Sequence, residues 1–240
     1  MANGDLPRLL TLAENGDLAA ALAALEQPPG RAHRVGITGP PGAGKSTLTG
    51  ALIKYWRDQG KSVAVVAVDP SSPRTGGALL GDRIRMESVA LDPGVFIRSM
   101  ATRGALGGLA RGTRAVSDVL DAAGFDIVIV ETVGVGQTEL DVVSATDTTV
   151  LVLVPESGDG IQALKSGLME VADVFAVNKS DRPGAERMVG EIRLALKLTD
   201  HGHETWAPPV ISTVATSARG IEELARAIER HRGVRRASAQ

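Results

Sequence analysis

The chain has 240 residues, 43% of them hydrophobic and 22% charged, with a formal net charge of −2. This is the balance of one globular core and supplies no basic field for a nucleic-acid backbone, while an aromatic content of 2% leaves little surface for stacking unpaired bases. Cysteine is absent, which excludes disulfides, thiolate metal sites and a cysteine nucleophile; with no membrane-length apolar run and no secretory signal, the expectation is a cytoplasmic enzyme or switch with neither nucleic acid nor membrane as partner.

The first segment, residues 5–25, spaces Leu9, Leu10, Leu12, Leu18, Leu22 and Leu25 as on short amphipathic helices, and Gln27-Pro28-Pro29-Gly30 ends the pattern. Residues 1–30 are therefore read as a helical appendage. From Arg34 onward apolar runs of strand length alternate with longer helical patterns, the signature of parallel strands joined by crossover helices. Strands are expected at 35–38, 62–68, 95–97, 126–130, 149–154, 174–177 and 210–214, and helices at 45–59, 108–123, 161–172, 184–197 and 221–232. The predicted class is α/β, a three-layer domain over 31–233 with a mostly parallel central sheet, and 234–240 reads as a flexible tail. Ligands in such sheets bind at the carboxyl ends of the strands, so residues that follow strands are the first candidates.

After the first strand, Gly39-Pro40-Pro41-Gly42-Ala43-Gly44-Lys45-Ser46-Thr47 satisfies G-x-x-x-x-G-K-[ST] in full. Glycines let successive backbone N–H groups turn towards the β- and γ-phosphates, Lys45 adds a point charge there, and the Ser46 hydroxyl is placed to ligate Mg²⁺. A glycine-rich connector would not require this strand–loop–helix setting, so the fold expectation becomes that of a P-loop NTPase. Behind the sixth strand stands Asn178-Lys179-Ser180-Asp181. The Asp181 carboxylate can accept from guanine N1–H and N2–H₂, whereas adenine would leave it unpaired. Asn178 is expected to support the purine edge and Lys179 to lie along the ring; the competing explanation is an aspartate that caps a helix. Thr216-Ser217-Ala218-Arg219, after the seventh strand, resembles the Ser-Ala-Lys loop whose backbone contacts guanine O6 in G proteins. Three signals in this order favour a GTPase over an ATP-dependent small-molecule kinase.

Between them the fourth strand runs into Glu131-Thr132-Val133-Gly134-Val135-Gly136-Gln137. Regulatory GTPases carry Asp-x-x-Gly here; the glutamate and its continuation resemble the metallochaperone class of G proteins. Val68-Asp69-Pro70-Ser71-Ser72-Pro73, Leu80-Gly81-Asp82-Arg83-Ile84-Arg85-Met86, Arg98-Ser99-Met100-Ala101-Thr102-Arg103-Gly104 and Gly160-Ile161-Gln162-Ala163-Leu164-Lys165-Ser166-Gly167 narrow the resemblance. They are similar to the chaperones of adenosylcobalamin-dependent methylmalonyl-CoA and related acyl-CoA mutases, over about residues 34–232. The resemblance implies hydrolysis of GTP to GDP and phosphate that gates coenzyme delivery to a mutase and protects it. It implies Mg²⁺ as cofactor, adenosylcobalamin bound only through the partner, and an adenosyltransferase as a second candidate partner. The best-known members continue into a helical dimerisation arm that is not among these 240 residues, so a homodimer is not expected to use that arm.

The same resemblance distributes roles. Asp69, Asp82 and Glu131 are candidate Mg²⁺ carboxylates with Ser46, and Gly134 is counted among the nucleotide-binding residues. Asp82 is placed in a switch segment with Lys45 and Glu131 as catalytic candidates. Lys165 is expected to act as an arginine finger does, delivered when the partner orders its loop, with Arg74 and Arg103 as rivals. Gln137 is three residues beyond Gly134 and so a poor copy of a water-orienting glutamine. His201-Gly202-His203, without cysteine or an acidic pair, is read as exposed rather than as a metal site.

Overall fold

The computed structural model describes residues 5–69, 89, 91–101, 108–132, 145–155, 168–198 and 206–238. Two short helices, α1 (Leu6–Glu14) and α2 (Leu18–Ala23), precede the sheet. There follow β1 (His33–Thr38), α3 (Lys45–Asp58), β2 (Val63–Asp69), β3 (Val95–Ala101), α4 (Gly108–Ala122), β4 (Ile127–Thr132) and β5 (Thr148–Leu153). The remainder is α5 (Leu168–Val171), β6 (Val174–Val177), α6 (Ala185–Leu198), β7 (Val210–Ser212), a 3₁₀ turn at Ala215–Ser217 and α7 (Ile221–Ser238). The sheet has seven strands in the order β3-β2-β4-β1-β5-β6-β7, and every described pairing is parallel.

Parallel strands covered by helices on both faces must be apolar on both faces, which is why the central runs read as unbroken valine and isoleucine. Every residue of β4 and β5 is buried. The strand period of two sorts β2 between layers: Val63 and Val65 pack with Leu52, Trp56 and Ile228, whereas Ala64, Val66 and Val68 pack with Leu10, Val116 and Leu120. The appendage therefore belongs to the second layer, laid over α4. The chain entering β1 is fastened there by Asp121, whose carboxylate accepts from the N–H groups of Gly30 at 2.6 Å, Arg31 at 3.0 Å and Ala32 at 2.8 Å.

Some bounds differ from the sequence expectation. β4 continues through Glu131, which pairs with Ile37 on one side and Ala67 on the other, so the carboxylate sits on a central strand rather than beyond it. β3 extends to Ala101 along the whole of β2. Of the helix expected at 161–172 only α5 is described. The last helix reaches Ser238, so the segment expected to be a tail from 234 is helical to that point; its Arg235 donates to the Asp147 carbonyl at 2.7 Å. No helix among the described residues is long and apolar enough to cross a membrane.

At the amino-terminal edge of the sheet a polar chain is buried. His33, 1% exposed, bonds the Thr148 hydroxyl at 2.8 Å, which bonds His231 at 2.9 Å, and His231 stands 3.2 Å from the Asp173 carboxylate. Burial, aided by the positive charge of Arg232, pushes the His33 imidazole down to about 3. Below its unfolded value of about 6.5 the unfolded chain takes up a proton that folded His33 refuses. Stability should fall as pH drops from about 6.5 towards 3, by up to about 1.4 kcal/mol per pH unit from this one group. Denaturant titrations of wild type and His33→Gln at pH 7 and pH 5 should show a shallower loss in the variant.

Candidate functional site

At the carboxyl edge, β1 ends at Thr38 and the chain curls into the phosphate-loop sequence. Gly39 has φ +139°, and a Cβ there would lie 2.1 Å from the Val152 carbonyl oxygen. Gly44 has φ +85°, and a Cβ would meet the Asn178 amide nitrogen at 2.6 Å. Only glycine accepts both the backbone conformation and the approach, so the loop is wedged between β5 and the residue after β6. Pro41 and Gly42 at its crown are exposed, and Ala43 beneath them is buried. Gly44 also caps α3 without a side-chain bond, so the first N–H groups of the helix, at Lys45, Ser46 and Thr47, point out of its positive end. Lys45 is only 6% exposed and folds back over the loop, donating to the carbonyls of Gly39 at 2.8 Å and Pro40 at 3.1 Å.

Glu131 reaches this helix from β4. It is 2% exposed, and each carboxylate oxygen accepts from a hydroxyl of α3: Ser46 Oγ at 2.6 Å and Thr49 Oγ1 at 2.6 Å. A carboxylate buried this far is tolerable only when its oxygens are satisfied. Thr49 was not singled out by the motif, although its place three residues after Ser46 puts both hydroxyls on one helix face. Beside this clamp, Thr132 donates to Thr38 at 3.1 Å across the two central strands.

Asn178 is buried and spans three segments. Its amide nitrogen donates to the Ala43 carbonyl at 2.9 Å, and its oxygen accepts from Thr213 Oγ1 at 3.3 Å and the Ala215 N–H at 3.2 Å. The amide expected at a purine edge is thus engaged with protein at both ends. Lys179 next to it has φ +55°, and Ala218 has φ +56°; both are left-handed conformations uncommon for residues with a Cβ. The two turns are tied by the Ser180 N–H to the Thr213 carbonyl at 3.0 Å and by Arg219 to the Ser180 hydroxyl at 3.2 Å. Asp181, Ser217, Ala218 and Arg219 are exposed around the mouth that these turns share.

Ser46, Glu131 and the guanine-site candidates are therefore brought to one edge of the sheet. Asp69 closes β2, beside β4, but its side chain is outside the described part, and Asp82, Gly134 and Lys165 lie outside the described residues altogether. The same holds for His201 and His203. The oxygen pair of Ser46 and Glu131 consists of hard donors, the kind Mg²⁺ takes, so the residues present fit that ion.

A phosphate loop at the switch point of a parallel sheet, with a buried carboxylate on the adjacent strand, is the architecture of P-loop NTPases, here of the GTPase class. The family model described as Methylmalonyl Co-A mutase-associated GTPase MeaB matches residues 6–240, and the chain belongs to that family. A Pyrococcus horikoshii protein named as a GTPase is 55% identical over 229 residues, covering 94% of this chain and 72% of that one. The mouse protein named Methylmalonic aciduria type A homolog, mitochondrial, is 44% identical over 194 residues, covering 80% of this chain and 47% of its own. A crystal structure titled LAO/AO transport system kinase superposes with a TM-score of 0.74 at 29% identity, over 99% of this chain and 78% of that one. The enzyme is accordingly a GTPase, which binds GTP and GDP, of a family associated with methylmalonyl-CoA mutase.

Lys45→Ala is expected to abolish tight triphosphate binding while the fold persists, checked by nucleotide titration beside circular dichroism. Asp181→Asn is expected to lose GTP affinity and gain XTP affinity, because the amide exchanges an acceptor for a donor; unchanged GTP binding would remove Asp181 from base selection. Thr49→Val, which keeps the volume and removes the hydroxyl, is expected to raise the Mg²⁺ concentration needed for half-maximal GDP retention about tenfold, with Thr49→Ser near wild type; such a step corresponds to about 1.4 kcal/mol, the size of one hydrogen bond.

Proposed function

We propose that this chain is an Mg²⁺-dependent GTPase that gates the delivery of adenosylcobalamin to a B12-dependent acyl-CoA mutase and protects the loaded mutase. The observation that carries the catalytic half is the buried Glu131 carboxylate held by Ser46 and Thr49 behind the phosphate loop. The mutase half rests on the family match.

In this reading the loop backbone and the amino terminus of α3 bind the β- and γ-phosphates, and Lys45 exchanges the Gly39 and Pro40 carbonyls for phosphate oxygens. Ser46 and Glu131, with Asp69 and Asp82, would hold Mg²⁺, which when bound neutralises charge on the β- and γ-phosphates. Attack of water on the γ-phosphorus forms one P–O bond and breaks that to the β–γ bridging oxygen, leaving GDP and inorganic phosphate. Since such chemistry is catalysed by positioning and charge, a cation that arrives only with the partner would make turnover partner-dependent. Lys165 is assigned that role. Adenosylcobalamin would be held by the mutase, because no base-off cobalamin motif Asp-x-His-x-x-Gly occurs in this sequence.

The experiment is single-turnover GTP hydrolysis with and without saturating methylmalonyl-CoA mutase, alongside spectroscopic transfer of adenosylcobalamin to that mutase. Lys165→Ala should leave basal hydrolysis within a few-fold and remove most of the stimulation, a loss of about 10²-fold or more. Partner effects on coenzyme transfer that survive in Glu131→Gln and Lys165→Ala would make the protein a binding switch in which hydrolysis is incidental.

A further inference from the structure

The edge of the sheet opposite the phosphate loop holds a cleft of about 370 Å³ between the entry to β1, the end of α4 and the last turns of α7. Arg34, Arg232, Arg235 and Arg236 line it together with Asp121 and Asp147. In a chain of net charge −2 this is a local excess of cations, and its carboxylates are already engaged. Asp121 serves the three N–H groups that fasten β1 and also Arg34, 3.2 Å away; Arg34 is further paired with Asp118 at 2.6 Å. Asp147 accepts from the Arg34 N–H at 2.9 Å.

Among the described residues the other three guanidinium groups form no direct salt bridge, and Asp147, Asp121 and Asp126 act on Arg232 only from farther off. Arg232 and Arg236 both donate to the one carbonyl of Arg31, and Arg235 donates to that of Asp147. A guanidinium carries five N–H donors, so one carbonyl bond each leaves most of this donor capacity to the cleft and to solvent. Burial and then the charge of Arg236 hold the Arg232 guanidinium below its ordinary range, against the opposing charges of Asp147, Asp121 and Asp126. Attraction to the carboxyl end of α7 would be met by solvated side chains. Here they turn back across the cleft to the segments before β1 and β5.

We propose that this cleft is a binding site for a small oxyanion, inorganic phosphate or the phosphoryl group of a small metabolite, held by Arg232, Arg235 and Arg236. Planar donor forks match the oxygens of a phosphoryl group, and the volume is that of a small-molecule site rather than of a single water. The site is independent of the nucleotide site, which lies at the other edge of the sheet.

The full chain is saturated with a non-hydrolysable GTP analogue, so that neither the β- nor the γ-phosphate place of the phosphate loop can compete, and titrated with inorganic phosphate, glycerol 3-phosphate or chloride at constant ionic strength. Calorimetry and the unfolding midpoint report binding. Saturable binding of phosphate or the ester, absent with chloride, should weaken at least tenfold in Arg235→Gln/Arg236→Gln, while GDP affinity stays unchanged. Arg187→Gln/Arg226→Gln, on exposed arginines elsewhere, should bind as wild type does. Arg232→Gln adds the half-buried member; if that variant is unstable, the exposed pair still decides. Tighter phosphate identifies a free oxyanion as the ligand, and a tighter ester identifies a phosphorylated metabolite. A response to both no greater than to chloride, or full binding in Arg235→Gln/Arg236→Gln, overturns the site.

Discussion

Asn178 holds three loops of the nucleotide edge with one buried amide. Each loop leaves a different strand: Ala43 follows β1, Asn178 itself follows β6, and Thr213 and Ala215 follow β7. Because the strands are parallel and in fixed register, all three chains emerge at the same edge, and one planar group with donors at one end and an acceptor at the other can join them. The approach is close enough that Gly44 can bear no side chain beneath the amide. A substitution at Asn178 would therefore loosen the phosphate-loop sequence and the turns after β6 and β7 together.

The same economy governs Glu131. A charge this deep in the sheet would be costly without partners, and the two hydroxyls of α3 supply them from consecutive turns. The arrangement couples the carboxylate to the helix that starts at Lys45, so the first turns of that helix, Ser46 and Glu131 are tied to the central strand. Thr49 is fully buried and its hydroxyl is given to this carboxylate, which makes it a positioning residue for whatever Ser46 and Glu131 bind.

The two edges of the sheet differ in how they handle charge. At the carboxyl edge, backbone N–H groups and Lys45 face the place where an anion is expected. At the amino edge, the polar groups are partly consumed by structure: His33 is kept neutral by burial and Asp121 fastens the chain entering β1, while the arginines of α7 retain donors. Function and stability thus draw on different ends of the same strands, and a change in the arginine cleft need not disturb nucleotide binding.

How much of this was legible beforehand depends on the range of the interaction. The alternation of apolar runs and helical patterns disclosed the α/β class and all seven strands, because burial on both faces of a parallel sheet leaves an unbroken apolar signature in each strand. The phosphate loop and the Asn-Lys-Ser-Asp turn were readable for a similar reason: φ-positive glycines and a fixed spacing are local demands. The strand end at Glu131, the helical continuation to Ser238 and the bond from Thr49 were not, since each is decided by a partner far along the chain: Ala67 and Ile37 for the strand, Asp147 and Arg31 for the helix, Glu131 for the hydroxyl. Nor could the spacing of Asn178 reveal that its amide is spent on Ala43, Thr213 and Ala215. The sequence by itself determined which segments are strands, where the glycine-bounded turn between β1 and α3 falls and which family the motifs belong to; the tertiary structure alone decided which polar groups remain available, because that depends on contacts between residues the chain brings together only after the sheet has formed.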